Sequence, residues 1–198
     1  MKILLLSLLC FIHSFGNSQG WIPAGGRSMS MANASSTFTD VWGYHNNPGA
    51  LGAIEEFSAG LSYENRFLSS ELQNQALAIA IPLKVGVISV GAHMYGYSQF
   101  RSSKAGLGYS MRLSDKLFVG VQLNYQGLKL SNNYGSSSSV SAEAGIYAKI
   151  TDKWSLGIST FNIGRAKLSD FEDDRYSTVI RFGNSYQFSE KLLISGEF

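Results

Sequence analysis

The chain has 198 residues, of which only 15% are charged, well below the roughly one quarter usual for a soluble domain. Something other than a charged surface is expected to face its surroundings. With 21 glycines, 13% aromatics and 3 prolines, the composition suits twisted strands better than helices. A formal charge of +2, or +1 once Lys2 is removed, excludes the broad basic field that holds nucleic acid.

Residues 1–20 read MKILLLSLLCFIHSFGNSQG: one lysine, an apolar run from Ile3 to Ile12, then small and polar residues. That order is a secretory signal peptide, assigned here to residues 1–19 with cleavage near Ser18 to Gly20. The run is shorter than the ~20 residues a helical membrane span needs, and no later segment reaches that length without interruption, so insertion into a membrane is expected only as a barrel. Cys10 is the only cysteine and lies in the leader after Leu8 and Leu9, without the small residue a lipid-attachment site requires. The mature chain therefore has no thiol, which excludes disulfides, thiol catalysis and cysteine-ligated metals.

Residues 20–55 lack any period-two pattern and are rich in Gly, Ala, Ser and Asn, the mark of a separate, tightly packed segment. Gly25, Gly26 and Arg27 fall short of a phosphate loop, since no GxxxxGK[ST] spacing follows, and are expected to form a close turn. Asn46 and Asn47 can hydrogen-bond nearby backbone, Pro48 fixes φ and lacks an amide donor, and Gly49 permits unusual dihedrals, so a rigid turn is expected there.

From Glu56 to Phe198 the sequence alternates, which is the period of a strand. Phe57, Ala59, Leu61 and Tyr63 interleave with Ser58, Gly60, Ser62 and Glu64. The pattern returns as Ala105 to Leu113, Leu117 to Tyr125, Val140 to Ala148, Trp154 to Ile158, and Ile180 to Phe182, each with one apolar and one small or polar face. These runs exceed the ~5 or 6 residues of soluble strands and match the ~9 to 11 that cross a bilayer at a tilt.

A hydroxyl-acid-lysine triplet occurs as Ser114, Asp115, Lys116, as Thr151, Asp152, Lys153 and as Ser189, Glu190, Lys191, with the acids 37 and 38 residues apart. The interval holds two strands and a loop, so the three tight turns share one end of the sheet, with a further turn expected at Pro82 to Lys84. Tyr97 to Lys104, Ser131 to Ser139 and Arg165 to Arg175 read as longer loops at the other end, the arrangement of an outer-membrane barrel. Eight strands and the start of a ninth, from Lys191, are counted. Either the chain is a shortened copy of a larger barrel, the favoured reading, or residues 21–55 supply a pairing strand and Phe198 closes the sheet. A soluble β-sandwich would alternate as cleanly but with its apolar face inward.

Glu64, Arg66, Arg112, Gln122, Asn124, Glu143, Lys149 and Arg181 occupy the polar parity, which in a barrel points to the lumen or its rims; they are expected to bond the N-terminal segment and one another. His45 and His93, 48 residues apart, lack partners at triad or zinc spacing, and no metal, cofactor or catalytic site is expected. Asp170, Glu172, Asp173 and Asp174 crowd one outer loop, where carboxylates suit calcium or a cation bridge to lipopolysaccharide, although a solvated acidic loop is favoured. Trp154, Phe161 and Phe188 are expected in interfacial girdles.

AGGRSMSMANASSTFTD followed by HNNPGALG resembles the N-terminal signature of the FadL-type outer-membrane family, including its PorV/PorQ-like branch; Asn47, Pro48, Gly49, Ala50 and Leu51 carry it best. The order Pro-Gly-Ala departs from the usual Pro-Ala-Gly. The resemblance implies a plug or hatch within an antiparallel transmembrane β-barrel of about fourteen strands, and passive uptake of hydrophobic small molecules. The PorV/PorQ-like branch implies an alternative, a non-enzymatic component of type IX protein secretion. Partners on either reading are membrane lipid and lipopolysaccharide, with a hydrophobic ligand or secretion proteins.

Overall fold

A computed structural model describes residues 22–69, 71–130, 135–167 and 175–198. The leader, residues 1–19, and the acidic group Asp170, Glu172, Asp173 and Asp174 lie outside them. Nine strands follow the alternation: β1 Ser58–Asn65, β2 Gln73–Leu83, β3 Gly86–Gly96, β4 Phe100–Ser114, β5 Leu117–Leu130, β6 Ser136–Lys149, β7 Trp154–Phe161, β8 Val179–Ser189 and β9 Leu192–Glu197. Each pairs antiparallel with its neighbour in sequence, giving one sheet in the order β1 to β9. β1 and β9 are not paired with each other, so the sheet is open among the described residues.

Residues 22–57 contain two short helices, α1 Gly26–Ser30 and α2 Gly43–Asn46, and a 3-10 segment Pro48–Ala53. They supply no strand, which overturns the expectation that residues 21–55 might pair with the sheet. Pro48 cannot donate an amide to a ladder, and the compact turns on either side leave no extended run.

The segment instead lies against one face of the sheet, and all nine strands reach it. His45 Nε2 meets the Leu77 carbonyl of β2 at 3.1 Å, and the Tyr44 hydroxyl donates to Gly91 O of β3 at 3.2 Å and to Asn124 Oδ1 of β5 at 3.0 Å. Ser110 Oγ of β4 donates to Pro48 O at 2.6 Å, and Asn47 Nδ2 to Ile146 O of β6 at 3.0 Å. Arg181 of β8 donates to Asn46 O at 2.8 Å, and Ser195 of β9 to Ala34 O at 3.0 Å. Gly60 of β1 and Gly157 of β7 pack on Trp42 and Ser36. Strands that far apart in one sheet can touch a single short segment only if the sheet curls around it.

The two faces are inverted relative to a soluble protein. The covered face carries Ser89, Ser110, Gln122, Asn124, Glu143 and Arg181, all buried. The outward face exposes Leu61 at 84%, Val121 at 61% and Ile180 at 68% of their surfaces. A sandwich would bury the second set and expose the first.

Tight turns at 84–85, 115–116, 150–153 and 190–191 share one end. The early turn falls one step later than expected, because Pro82 and Leu83 still belong to β2; β1 stops pairing at Ala80, so the missing amide of Pro82 interrupts no ladder on that side. At the opposite end two expected loops are partly strand. Arg101 to Lys104 belong to β4 and Ser136 to Ser139 to β6, because strand pairing continues past the apolar zone with polar side chains on both faces.

Candidate functional site

The site is built where the N-terminal segment meets the covered face. Asn47 organises it. Its Oδ1 accepts from Gly49 N at 2.9 Å, capping the 3-10 turn, while its Nδ2 donates to Ser36 O at 2.6 Å and to Ile146 O. One side chain thus joins two parts of the segment to strand β6. The expected rigid turn is present, but Gly49 serves it differently from the unusual dihedral anticipated, since its φ is not positive. A Cβ at Gly49 would meet the Gly145 carbonyl carbon at 2.6 Å, and one at Gly145 would meet Asn47 Oδ1 at 1.9 Å. The paired glycines let two backbones touch. Asn46 contributes mainly its carbonyl, to Arg181.

Gly25 does take φ +95°, and a Cβ there would strike the Trp42 indole at 2.5 Å; Arg27 lies over the Phe38 ring at 4.0 Å. Gly25 therefore makes the close-packed turn read from the sequence, whereas Gly26 and Arg27 begin helix α1. Burial pushes the nearby Asp40 carboxyl above its usual range, opposed by the Trp42 amide and Arg27.

Four of the eight polar residues singled out from the sequence converge in this interior: Gln122, Asn124, Glu143 and Arg181. Gln122 Nε2 donates to Asn124 Oδ1 at 2.8 Å, and Asn124 Nδ2 donates to Glu143 Oε1 at 2.7 Å. The same carboxylate oxygen takes Lys104 Nζ at 3.0 Å, with both side chains almost fully buried. Tyr44 enters this chain through Asn124, and burial, then the nearby Glu143 carboxylate, pushes its phenol up. Arg181 forms the second centre. It pairs with Glu197 and donates to Asn33 O at 2.9 Å and Ser35 Oγ at 3.1 Å, while Glu197 Oε2 accepts from Ser35 N, Ser36 N and Ser36 Oγ at 3.0, 2.9 and 2.6 Å.

The other four stay at the rims. Glu64 pairs with Arg66 at 3.0 Å, beyond the last residue of β1 in the case of Arg66. Arg112 is exposed beside Asp115 at 3.5 Å. Lys149 is also exposed, above the Phe118 ring at 5.6 Å.

Lys104, Asn74 and Glu197 were missed. Lys104 had been read into a loop, and its parity with Gly106 and Gly108 was the signal that placed it on the covered face. Glu197 shares the parity of Ser195 and Leu193, and strand pairing continues to Phe198, which exchanges backbone bonds with Phe182. Phe161, expected in a girdle, is buried; it lies on the same parity as Gly157 and Ser159, with Lys104 Nζ 5.7 Å from its ring. Trp154 and Phe188 are exposed as expected.

His45 and His93 do approach, with ring centroids 5.9 Å apart. His93 is held by Asn74, which also reaches Glu64 Oε2 at 3.3 Å and Pro23 O at 3.4 Å. Burial, then the Lys104 and His93 charges, holds His45 well below its usual range, so it is neutral at neutral pH. Among the described residues no three His, Cys, Asp or Glu side chains are grouped for a metal ion. The arrangement fixes the N-terminal segment against the covered face of the sheet. No family model, curated protein or solved structure matches this chain.

Proposed function

We propose that this chain forms the wall of a FadL-like outer-membrane β-barrel with residues 22–57 as its plug, a non-enzymatic protein that admits hydrophobic small molecules passively. The observation that carries the reading is the inversion of the two faces: oily side chains look outward along the sheet, and the buried face is hydroxyl, amide and ion pair. In lipid that outward face has no reason to be covered, and every backbone group between paired strands is satisfied. Strands β4 to β6, of 15, 14 and 14 residues, exceed the ~9 to 11 a tilted crossing needs.

The segment is held by side-chain bonds and close contacts and joins no strand ladder, the attachment expected of a plug. A hydrophobic solute following this route needs no hydrolysis, redox step or cofactor.

Two measurements test the proposal. The mature protein is expected to extract only with detergent and to migrate faster on gels before heating than after; recovery in the aqueous fraction would end the membrane reading. A deletion strain is expected to take up less radiolabelled fatty acid or aromatic hydrocarbon while protein secretion is unchanged. Normal uptake with lost secretion would replace transport by a docking role in protein export.

A further inference from the structure

The outward face changes character toward the long-loop end of β4, β5 and β6. Because the three strands are in register, their outward residues form rows. Tyr109, Val121 and Ala144 make one row, and Leu107, Leu123 and Ala142 the next. Above them come Ala105, Tyr125 and Val140, then Ser103, Gly127 and Ser138. The last row is Arg101, Lys129 and Ser136. The strip therefore runs from aliphatic through aromatic and hydroxyl to cationic, over five successive cross-strand rows.

At its upper end lies a groove of about 310 Å³. Gly127 forms the floor by having no side chain, with Ser103 and Ser138 on either side. Tyr125 bounds it toward the apolar rows, and Arg101 and Lys129 toward the loops. Arg101 and Lys129 are direct cross-strand partners, both exposed. Like charges so placed repel, and among the described residues neither has a carboxylate partner. Several other described cations do have a carboxylate beside them: Arg27 with Asp40, Arg66 with Glu64, Lys104 with Glu143, Arg112 with Asp115 and Arg181 with Glu197. This cross-strand cation pair sits above hydroxyls, an aromatic ring and aliphatic side chains, in the order in which a phosphorylated lipid presents phosphate, ester and hydroxyl groups, and hydrocarbon.

We infer that this strip binds a phosphate-bearing membrane lipid, its phosphate between Arg101 and Lys129, its polar linkage over Ser103, Gly127 and Ser138, and its chains along the rows below Tyr125. The guanidinium offers paired N–H donors to phosphate oxygens and the ammonium a compact charge; basic pockets at the edge of an apolar span are suited to lipid head groups. The inference rests on the membrane reading above, and adds to it one lipid at one place.

The test uses the full mature chain in a neutral detergent, with diphosphorylated lipid A as the probe and native mass spectrometry as the readout. Wild type is expected to retain one lipid A, and the Arg101→Gln/Lys129→Gln variant to retain at least tenfold less. Inorganic phosphate is expected neither to bind nor to displace the lipid at equal concentration. Gly127→Val, which fills the floor, is expected to weaken retention with both cations in place. Equal retention by wild type and the double variant overturns the inference, as does retention of inorganic phosphate alone, which would mark an ion site without the lipid. Heat-shifted mobility of each variant reports folding separately. Loss of that shift in wild type would count against the membrane reading, whereas a normal shift with unchanged lipid A retention would sink the lipid site alone.

Discussion

Two buried ion pairs face the same interior and hold different things. Lys104 and Glu143 both belong to the sheet, on β4 and β6, and they reach the N-terminal segment at Tyr44, by hydrogen bonds through Asn124 and with Lys104 Nζ 6.0 Å from the Tyr44 ring. Arg181 and Glu197 also belong to the sheet, on β8 and β9, yet between them they bond backbone groups of Asn33, Ser35, Ser36 and Asn46. The first pair satisfies the sheet's own interior; the second anchors the segment. A charge pair of nearly the same burial can therefore serve the integrity of the sheet or the retention of the N-terminal segment, and its hydrogen-bond partners decide which.

The strongest way to break that distinction is to deny the segment its seat altogether. Gly145→Val forces a Cβ to within 1.9 Å of Asn47 Oδ1, with the Gly49 backbone nitrogen at 2.7 Å and Pro48 Cδ at 3.0 Å leaving little room to yield. We expect a loss beyond about 4 kcal/mol, seen as absence of the compact, heat-shifted gel band after refolding in detergent. A normal band would mean the segment does not seat on β6.

Glu143→Leu comes next. It strands Lys104 in the interior, and removal of one partner of a buried pair costs about 3–5 kcal/mol. Denaturant unfolding in detergent is expected to show that loss, and Lys104→Met/Glu143→Leu to restore most of it. If the double variant is no better than the single, the pair is not an isolated element of the wall.

Arg181→Met should divide the two pairs most sharply. Loss of its bonds to the segment is expected to destabilise by about 2–3 kcal/mol and to raise the rate of proteolytic cleavage within residues 22–57, whereas Lys104→Met/Glu143→Leu leaves that rate unchanged. Equal cleavage in both variants would remove the distinction.

His45 supplies a smaller, pH-dependent effect. Its folded pKa lies below the ordinary 6.5, so the unfolded chain takes up the proton first as the pH falls. The contribution is complete above pH 6.5 and is lost on acidification toward the folded value, with a slope of at most about 1.4 kcal/mol per pH unit. His45→Gln is expected to flatten the stability profile in that window; an unchanged slope would assign it to other groups. Smallest of all, Asp115→Asn removes an exposed pair with Arg112 and should shift stability by less than about 0.5 kcal/mol.

Much of the sheet was legible because a half-covered strand writes its two faces alternately into the sequence. Gly, Ser, Gln and Asn at one parity, with Leu, Val and Tyr at the other, located β1, β4, β5, β6, β7 and β8. The same signal failed where both faces are polar: Arg101 to Lys104 and Ser136 to Ser139 looked like loops, although their backbones pair as firmly as those below them. Lys104, the most consequential residue missed, was lost for that reason. The importance of Asn47 and Gly49 was visible in the turn chemistry of Asn-Pro-Gly, but their partner Gly145 was not, since nothing local links positions 98 residues apart. Phe161 was misplaced because its apolar character outweighed its parity, whereas the cation beside its ring supplies a reason for an aromatic on the covered face.

The contact of residues 22–57 with every strand also bears on how the molecule is assembled. Tyr44 reaches Gly91 across 47 positions, Asn47 reaches Ile146 across 99, and Ser35 reaches Glu197 across 162. Residues 22–57, which precede every strand, thus behave as a mandrel on which later hairpins are laid in turn, each at a greater loop-closure entropy than the one before. Local hairpins can zip quickly, but the curvature they adopt has to wait for a template made first and secured last.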